Sequence, residues 1–482
     1  MTDPTAHTSA TTLPTWFLPA VALAAIVPRL IFVFLAPAME GDGEVYTTVA
    51  LNILHNECVS MSDPAGGACA PHWGGNQLPG YPAFIALSWF LTGEWAPAPL
   101  VAQALAYAAA TTYVVRALIK TGSSARVVIA GAAVLVFSPT LVAWPRMLLT
   151  ETLALAAALW VLGIVIRSYS DRRIPTLELG IAFAVGFFLR YDFLLLAVPV
   201  VIAGFSIHRP PEALRRGTVV VLIAAIPYGA WTLRSVSAEL PPLPPYGLTN
   251  NGEPLAPGTL KWMGTWVASP YDLPNSVWPL ATGDYGNIQL PDRAFANADE
   301  RQLVGDLLAQ LKNSELEQVP NHVDAAFADL AALRHSEHQV FLRLGLPLRR
   351  AAEMWLSPLP SMGWPGEIGT GRSTLLEVAK AGNASKIIQF AWQNAGPAVA
   401  KGLVATWRYA ILAGLAVLMV LNAIGRRRDG VLLWMVVAFA LIRTGIFAST
   451  LLVEARYLLP ALAWLEVTVL VALGQGRSRD SG

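Results

Sequence analysis

Apolar residues in this chain fall into long runs separated by short polar connections. Runs at 16–37, 97–119, 127–143, 148–166, 218–233, 403–424, 431–453 and 457–473 each approach the length a helix needs to cross about 30 Å of hydrocarbon. The stretch 177–207 is apolar on both sides of Arg190-Tyr191-Asp192, which predicts two short helices meeting at those charges. A shorter piece, 80–93, is too brief to span comfortably and reads as interfacial or re-entrant. The pattern predicts a mainly α, polytopic bundle of about ten transmembrane helices.

Two polar regions interrupt the runs. The first, 38–78, reads as a loop that opens with Asp42 and Glu44 directly after the first span. The second extends from 235 to about 401. Its first part, 241–293, is rich in Pro, Gly, Asn and Trp, as irregular packed loops are. Helical spacing then begins with Leu303, Leu307, Leu308 and Leu311, followed by Ala326, Leu330 and Leu333. Phe341, Leu342, Leu346, Ala351 and Met354, interleaved with Arg343, Arg349 and Arg350, predict an amphipathic helix near the lipid headgroups. The organisation expected is therefore an N-terminal membrane module over 1–235 whose first outer loop is 38–96, a mixed or helical segment over 236–400, and closing membrane helices over 401–482.

Composition agrees: 55% of the 482 residues are hydrophobic, 13% are charged, and mean hydropathy is +0.50. A formal net charge of +1 gives no support for nucleic-acid binding. The placement of charge is more telling. Lys120 and Arg126, Arg167 with Arg172 and Arg173, Arg209 with Arg215 and Arg216, Arg426 to Arg428, and Arg477 with Arg479 occupy alternate connections. By the positive-inside rule these face the cytoplasm, as do both termini, and the protein is placed in the cell (plasma or inner) membrane. The loop at Asp42, the 139–146 turn, the long segment and Glu454-Ala455-Arg456 then face outward. The polar N-terminus lacks a basic n-region, so the first run reads as a retained span.

Ionisable groups in or beside spans are costly and each calls for a reason. Asp42, Glu44, Glu151, Arg190, Asp192, Glu454 and Arg456 come from four segments and reach one face. They serve either as internal ion pairs holding helices together or as a site. A carboxylate there could act as general base for a hydroxyl, and the arginines could bind an anionic leaving group such as phosphate. No Gly-rich phosphate loop is present, which points away from a cytosolic nucleotide donor and towards a lipid-borne one. The seven histidines show no zinc-ligand spacing, and His335-Ser336-Glu337-His338 reads as exposed helix surface. Two or three carboxylates near phosphate could hold a divalent metal or none.

Asp42-Gly43-Glu44-Val45-Tyr46 with Ala50 to Leu54, then Pro79-Gly80-Tyr81-Pro82, resembles the start of bacterial polytopic glycosyltransferases of the GT-C superfamily. The group nearest in pattern is family 39, the protein mannosyltransferase and aminoarabinose transferase-like enzymes. Further matches are Pro145-Arg146 with Thr150-Glu151, the break at Leu189 to Asp192, Trp231 to Arg234 leading into Thr249 to Gly252, and Glu454 to Tyr457 with Pro460. The resemblance fades between about Asp292 and Lys401. It implies a polyprenyl-phosphate-linked sugar donor drawn from the membrane lipid, and an acceptor hydroxyl on a glycan, lipid or protein. It also implies Asp42 as catalytic base, Glu151 (and Glu44, which Gly43 separates from Asp42) orienting the acceptor or a metal, and Arg456 and Arg190 on the lipid phosphate. Many relatives carry a basic residue near Gln77, which is uncharged here. Cys58 and Cys69 lie in the first outer loop, where a disulfide would persist; free buried thiols are the alternative.

Competing readings are a transporter or lipid flippase, for which Arg29 and Arg443 are the mid-membrane candidates, and a non-catalytic scaffold keeping the fold. The one-sided clustering and the large outer segment favour the transferase.

Overall fold

A computed structural model describes residues 13–38, 42–60, 78–240, 256–281, 284–312, 319–357, 363–365, 385, 388, 395–424, 430–451 and 453–475. Cys69, Gln77 and Thr249 to Gly252 lie outside the described residues. The described chain is helical, without a named strand. In chain order the helices are α1 (Phe17–Leu35), α2 (Asp42–Asn56), α3 (Gly80–Thr92), α4 (Ala98–Lys120), α5 (Ala125–Phe137), α6 (Glu151–Asp171), α7 (Thr176–Leu189), α8 (Ala197–Ile207) and α9 (Pro210–Ser237). There follow α10 (Pro257–Gly264), α11 (Trp278–Ala281), α12 (Ala298–Lys312), α13 (Asn321–Glu337), α14 (Leu346–Leu356), α15 (Ala395–Ala423), α16 (Gly430–Ala448) and α17 (Leu459–Gln475).

Seven described helices are long and apolar enough to cross a membrane, and four shorter apolar helices accompany them, so the chain is a multi-pass membrane protein. α6 is buried nearly all round, as a helix that is apolar on every face must be. α4, α7 and α17 pack against it. The indole of Trp464 on α17 donates to the carbonyl of Ala158 on α6 (3.0 Å). Arg29, fully buried in α1, pairs with no carboxylate among the described residues. It donates to the carbonyls of Ala25, Leu135 and Val136 (2.8–3.2 Å) and stacks 3.8 Å over the Tyr107 ring, so its role is to fasten α1 to α4 and α5.

The structure corrects three expectations. The region after the first span is not a loop throughout: Asp42 opens a helix whose buried Tyr46, Val49 and Ala50 recur at helical spacing. The span expected over 127–143 ends at Phe137, because Pro139 pushes Ser138 out of helical geometry (ψ 121°). Arg350 was expected among the headgroup-facing basic residues but turns inward, donating to the carbonyls of Val267 (2.7 Å) and Gly264 (2.8 Å).

The break at Arg190 is as expected, with α7 stopping at Leu189 and a 3₁₀ turn over Tyr191–Leu196 leading into α8. The described part of the long polar segment forms α10 to α14 around fully buried Trp262, whose indole donates to Glu300 (3.0 Å). Arg334 pairs with Glu300 at 2.7 Å. Trp355 at the end of α14 donates to Thr444 (2.8 Å) and ties this layer to α16.

Gly80 marks a close approach of α3 to α7. A β-carbon there would lie 2.4 Å from the Phe188 carbonyl oxygen. Gly80→Ala is therefore expected to cost about 1–3 kcal/mol through forced backbone shifts. A thermal unfolding midpoint equal to wild type would contradict that packing.

Candidate active site

Four carboxylates and three guanidiniums meet where α2, α6 and α17 begin and α7 ends. Glu151 is the first residue of α6 and Asp42 the first of α2, so each carboxylate sits at the positive end of a helix dipole. Arg190 follows α7 directly, and Arg456 lies in a 3₁₀ turn just before α17.

Arg456 is the hub. It approaches Asp42 at 3.5 Å and Glu151 at 3.6 Å, and its Nε pairs closely with Glu454. Arg190 bonds Glu151 and Asp192, each at 3.0 Å, and donates to the Thr150 hydroxyl (2.9 Å). Arg443, which enters from α16, pairs with Asp192 and donates to the backbone carbonyls of Asp192 (3.1 Å) and Tyr457. The Tyr457 ring lies 5.3 Å from the Arg190 guanidinium carbon and 5.4 Å from that of Arg456. One aromatic ring thus lies within cation–π range of both cations and supports them.

Access divides the carboxylates sharply. Side-chain exposure is 3% for Glu151, 15% for Asp192 and 17% for Glu454, against 43% for Asp42. Asp42 also has a single, long ion pair among the described residues. Three carboxylates are therefore internal struts, and the fourth faces the open side.

Burial, together with neighbouring Glu151 and Asp42, holds the Glu454 carboxyl above its ordinary range against the pull of Arg456. A carboxyl raised on folding binds its proton more tightly in the folded state. Its contribution to stability is complete below the ordinary carboxyl value and is lost as pH rises through the raised one. Glu454→Gln is expected to remove that component, so the melting-temperature difference between variant and wild type should grow in the variant's favour as pH rises. A difference independent of pH would contradict the shift.

A second layer aligns the segments. Tyr46, one turn beyond Asp42, packs edge-on against Tyr81 (centroids 5.0 Å apart). Tyr81 donates to Gln103 (3.0 Å), and Gln103 donates to the carbonyls of Pro145 and Met147 (2.8 Å each). Ala38 and Met147 form an isolated parallel bridge, so the chain entering Asp42 lies beside the chain entering Glu151. Tyr81 of the Pro-Gly-Tyr-Pro stretch is thus a buried spacer between α2 and α4.

Of the residues singled out in the sequence, Asp42, Glu151, Arg190 and Arg456 come together. Glu44 does not: it is exposed, two residues round α2 from Asp42, and makes no ion pair among the described residues. Cys58 is disulfide-bonded. His335 and His338 are both exposed. Sequence reasoning gave Asp192 no role and set Arg443 aside for a transport reading. The signal that could have joined them is their placement, an acid at a helix break and an unpaired arginine deep in an apolar span. Among the described residues no three of His, Cys, Asp and Glu converge with metal-ligating geometry. The arginines stand between the carboxylates.

No protein-family model matches the chain, and no curated protein is similar to it. Two solved structures of the Archaeoglobus fulgidus oligosaccharyltransferase are similar at a TM-score of 0.37. In the apo form the identity is 13%, over 92% of this chain and 56% of that one. With an acceptor peptide containing the NVT sequon tethered by a disulfide, it is 12%, over 92% and 55%. The chain spans about half the length of those proteins. A likeness this distant carries no weight in assigning function.

Proposed function

We propose that this protein is an integral-membrane glycosyltransferase that moves a sugar from a polyprenyl-phosphate donor to an acceptor hydroxyl at the extracytoplasmic face. The observation that carries the reading is the asymmetry of the cluster. Asp42 alone is open to a substrate, while its neighbours are locked in ion pairs that keep two arginines beside it.

In this mechanism the acceptor O–H gives its proton to Asp42 as the acceptor oxygen bonds to the anomeric carbon. The bond from that carbon to the phosphate oxygen breaks, and its electron pair departs with the lipid phosphate. Arg456 and Arg190 stabilise the charge that builds on the phosphate. Glu151 holds both arginines and gives their N–H groups a fixed direction before substrate arrives. The basic connections expected at the opposite end of the bundle support cytoplasmic termini and an outward-facing site.

Purified protein in lipid nanodiscs, given a panel of polyprenyl-phosphate sugars and acceptors, is expected to release free lipid phosphate. Release from no donor, together with movement of intact lipid across a vesicle bilayer, would replace this reading with a flippase. Arg456→Lys keeps the charge but loses the planar fork that bridges three carboxylates. It is expected to lower turnover by about 10²-fold, the scale of losing one preorganised transition-state donor. Unchanged lipid-phosphate release in that variant would remove Arg456 from the mechanism.

A further inference from the structure

A second cavity, of about 650 Å³, lies among α3, α4, α6, α7 and α9, and none of the cluster's charged residues lines it. The two sites use different faces of α6. Glu151 and Ala154 line the charged cleft, whereas Leu153, Ala156, Ala157 and Trp160 line the cavity. At 3.6 residues per turn these sets point apart. On α4 the matching wall is Ala106, Ala109, Ala110 and Tyr113, again at i, i+3, i+4 and i+7. Small residues on both helices hollow out the space.

The cavity has a floor and an open side. Seven residues beyond Leu153, about 10 Å along the helix, Trp160 and Tyr113 close its far end. Their polar atoms turn away from it to Glu178: Tyr113 donates at 2.6 Å and Trp160 at 3.1 Å. The rings therefore present only apolar surface inward. At the rim Ala109 and Val185 are exposed, and Leu105, Ile181 and Ile226 continue that exposed apolar face. These residues lie within apolar helices, at a depth where the surrounding solvent is hydrocarbon.

Water has no polar partners in such a space. Left unfilled, the apolar walls would forfeit packing contacts, a loss that grows with the volume of the space. We infer that the cavity is a binding site for the acyl chain of a bilayer phospholipid, entering sideways between α4 and α7 and ending on Tyr113 and Trp160. The bound chain completes the packing around α6, and through α6 it supports Glu151. The inference stands independently of the sugar-transfer reading, because its test does not use turnover.

The test is photolabelling of the full-length protein in phosphatidylcholine–phosphatidylglycerol nanodiscs. One arm carries a phospholipid with a diazirine at mid-chain, and a parallel arm carries a polyprenyl phosphate with the diazirine in its isoprenoid chain. The acyl probe is expected to label α4, α6 and α7 peptides well above the outward face of α9 around exposed Leu222. Ala110→Phe and Ala157→Phe, which fill the space, should reduce that labelling by about tenfold, and the milder Ala157→Leu by less. Melting temperatures at or above wild type would show that the variants fold. Labelling no stronger than at Leu222, labelling unchanged in folded Ala157→Leu, or labelling confined to the isoprenoid probe would each overturn the inference.

Discussion

Arg443→Met is expected to be the most destabilising single change near the cluster, costing about 3 kcal/mol. The guanidinium is 2% exposed and joins three elements: α16 that carries it, the turn at Asp192, and the turn at Tyr457. Methionine fills similar space but leaves Asp192 with Arg190 as its sole charged partner among the described residues and strips donors from two backbone carbonyls. Burying unpaired polar atoms is what makes such a change costly, more than the loss of the pair itself. Asp192→Asn in the same background should recover part of the loss, because the uncompensated charge goes with it; groups in one network are not additive. Denaturant titration in micelles measures both variants. Wild-type stability in Arg443→Met, or strict additivity in the double variant, would contradict the strut.

Much of the bundle was legible from run length alone, because a helix in hydrocarbon satisfies its own backbone and needs only enough apolar residues. The break at Arg190 was legible for the same reason, since two charges within three residues of an apolar run mark a place where a helix can stop. α2 was not legible. Its start, Gly41-Asp42-Gly43-Glu44, has the composition of a turn and outweighs the apolar spacing that follows. The site was half legible. Charges at span ends announced which residues deserved a role, and four of them converge. Which carboxylate stays free could not be read, because it depends on pairings between distant segments. Asp192 and Arg443 are 251 positions apart, and their contact decides that Asp192 is a strut. The intervening Gly43 already set Glu44 apart from Asp42 in the sequence, and half a turn of α2 puts one in the cluster and the other outside it.

Asp42→Asn should leave the fold intact and nearly abolish activity, lowering turnover by about 10²–10⁴-fold, the contribution of a positioned general base. Asparagine is close in size, so the start of α2 is preserved. Asp42 is the most exposed carboxylate of the cluster, with one ion pair at 3.5 Å, so little stability rides on its charge. The loss should therefore appear in turnover while donor binding, which rests on Arg456 and Arg190, holds near wild type. The same substitution at Glu151, 3% exposed and bonded to both arginines, should instead weaken donor binding and stability together. That contrast separates a base from a strut.

The most direct measurement combines two readouts on one preparation of Asp42→Asn in nanodiscs: affinity for a polyprenyl-phosphate sugar, and release of free lipid phosphate in a single turnover with acceptor present. Near wild-type affinity with lipid-phosphate release lowered by at least about 10²-fold is the predicted result. Release at the wild-type rate in that variant would contradict the assignment of Asp42 as the base and, with it, the mechanism built on the cluster.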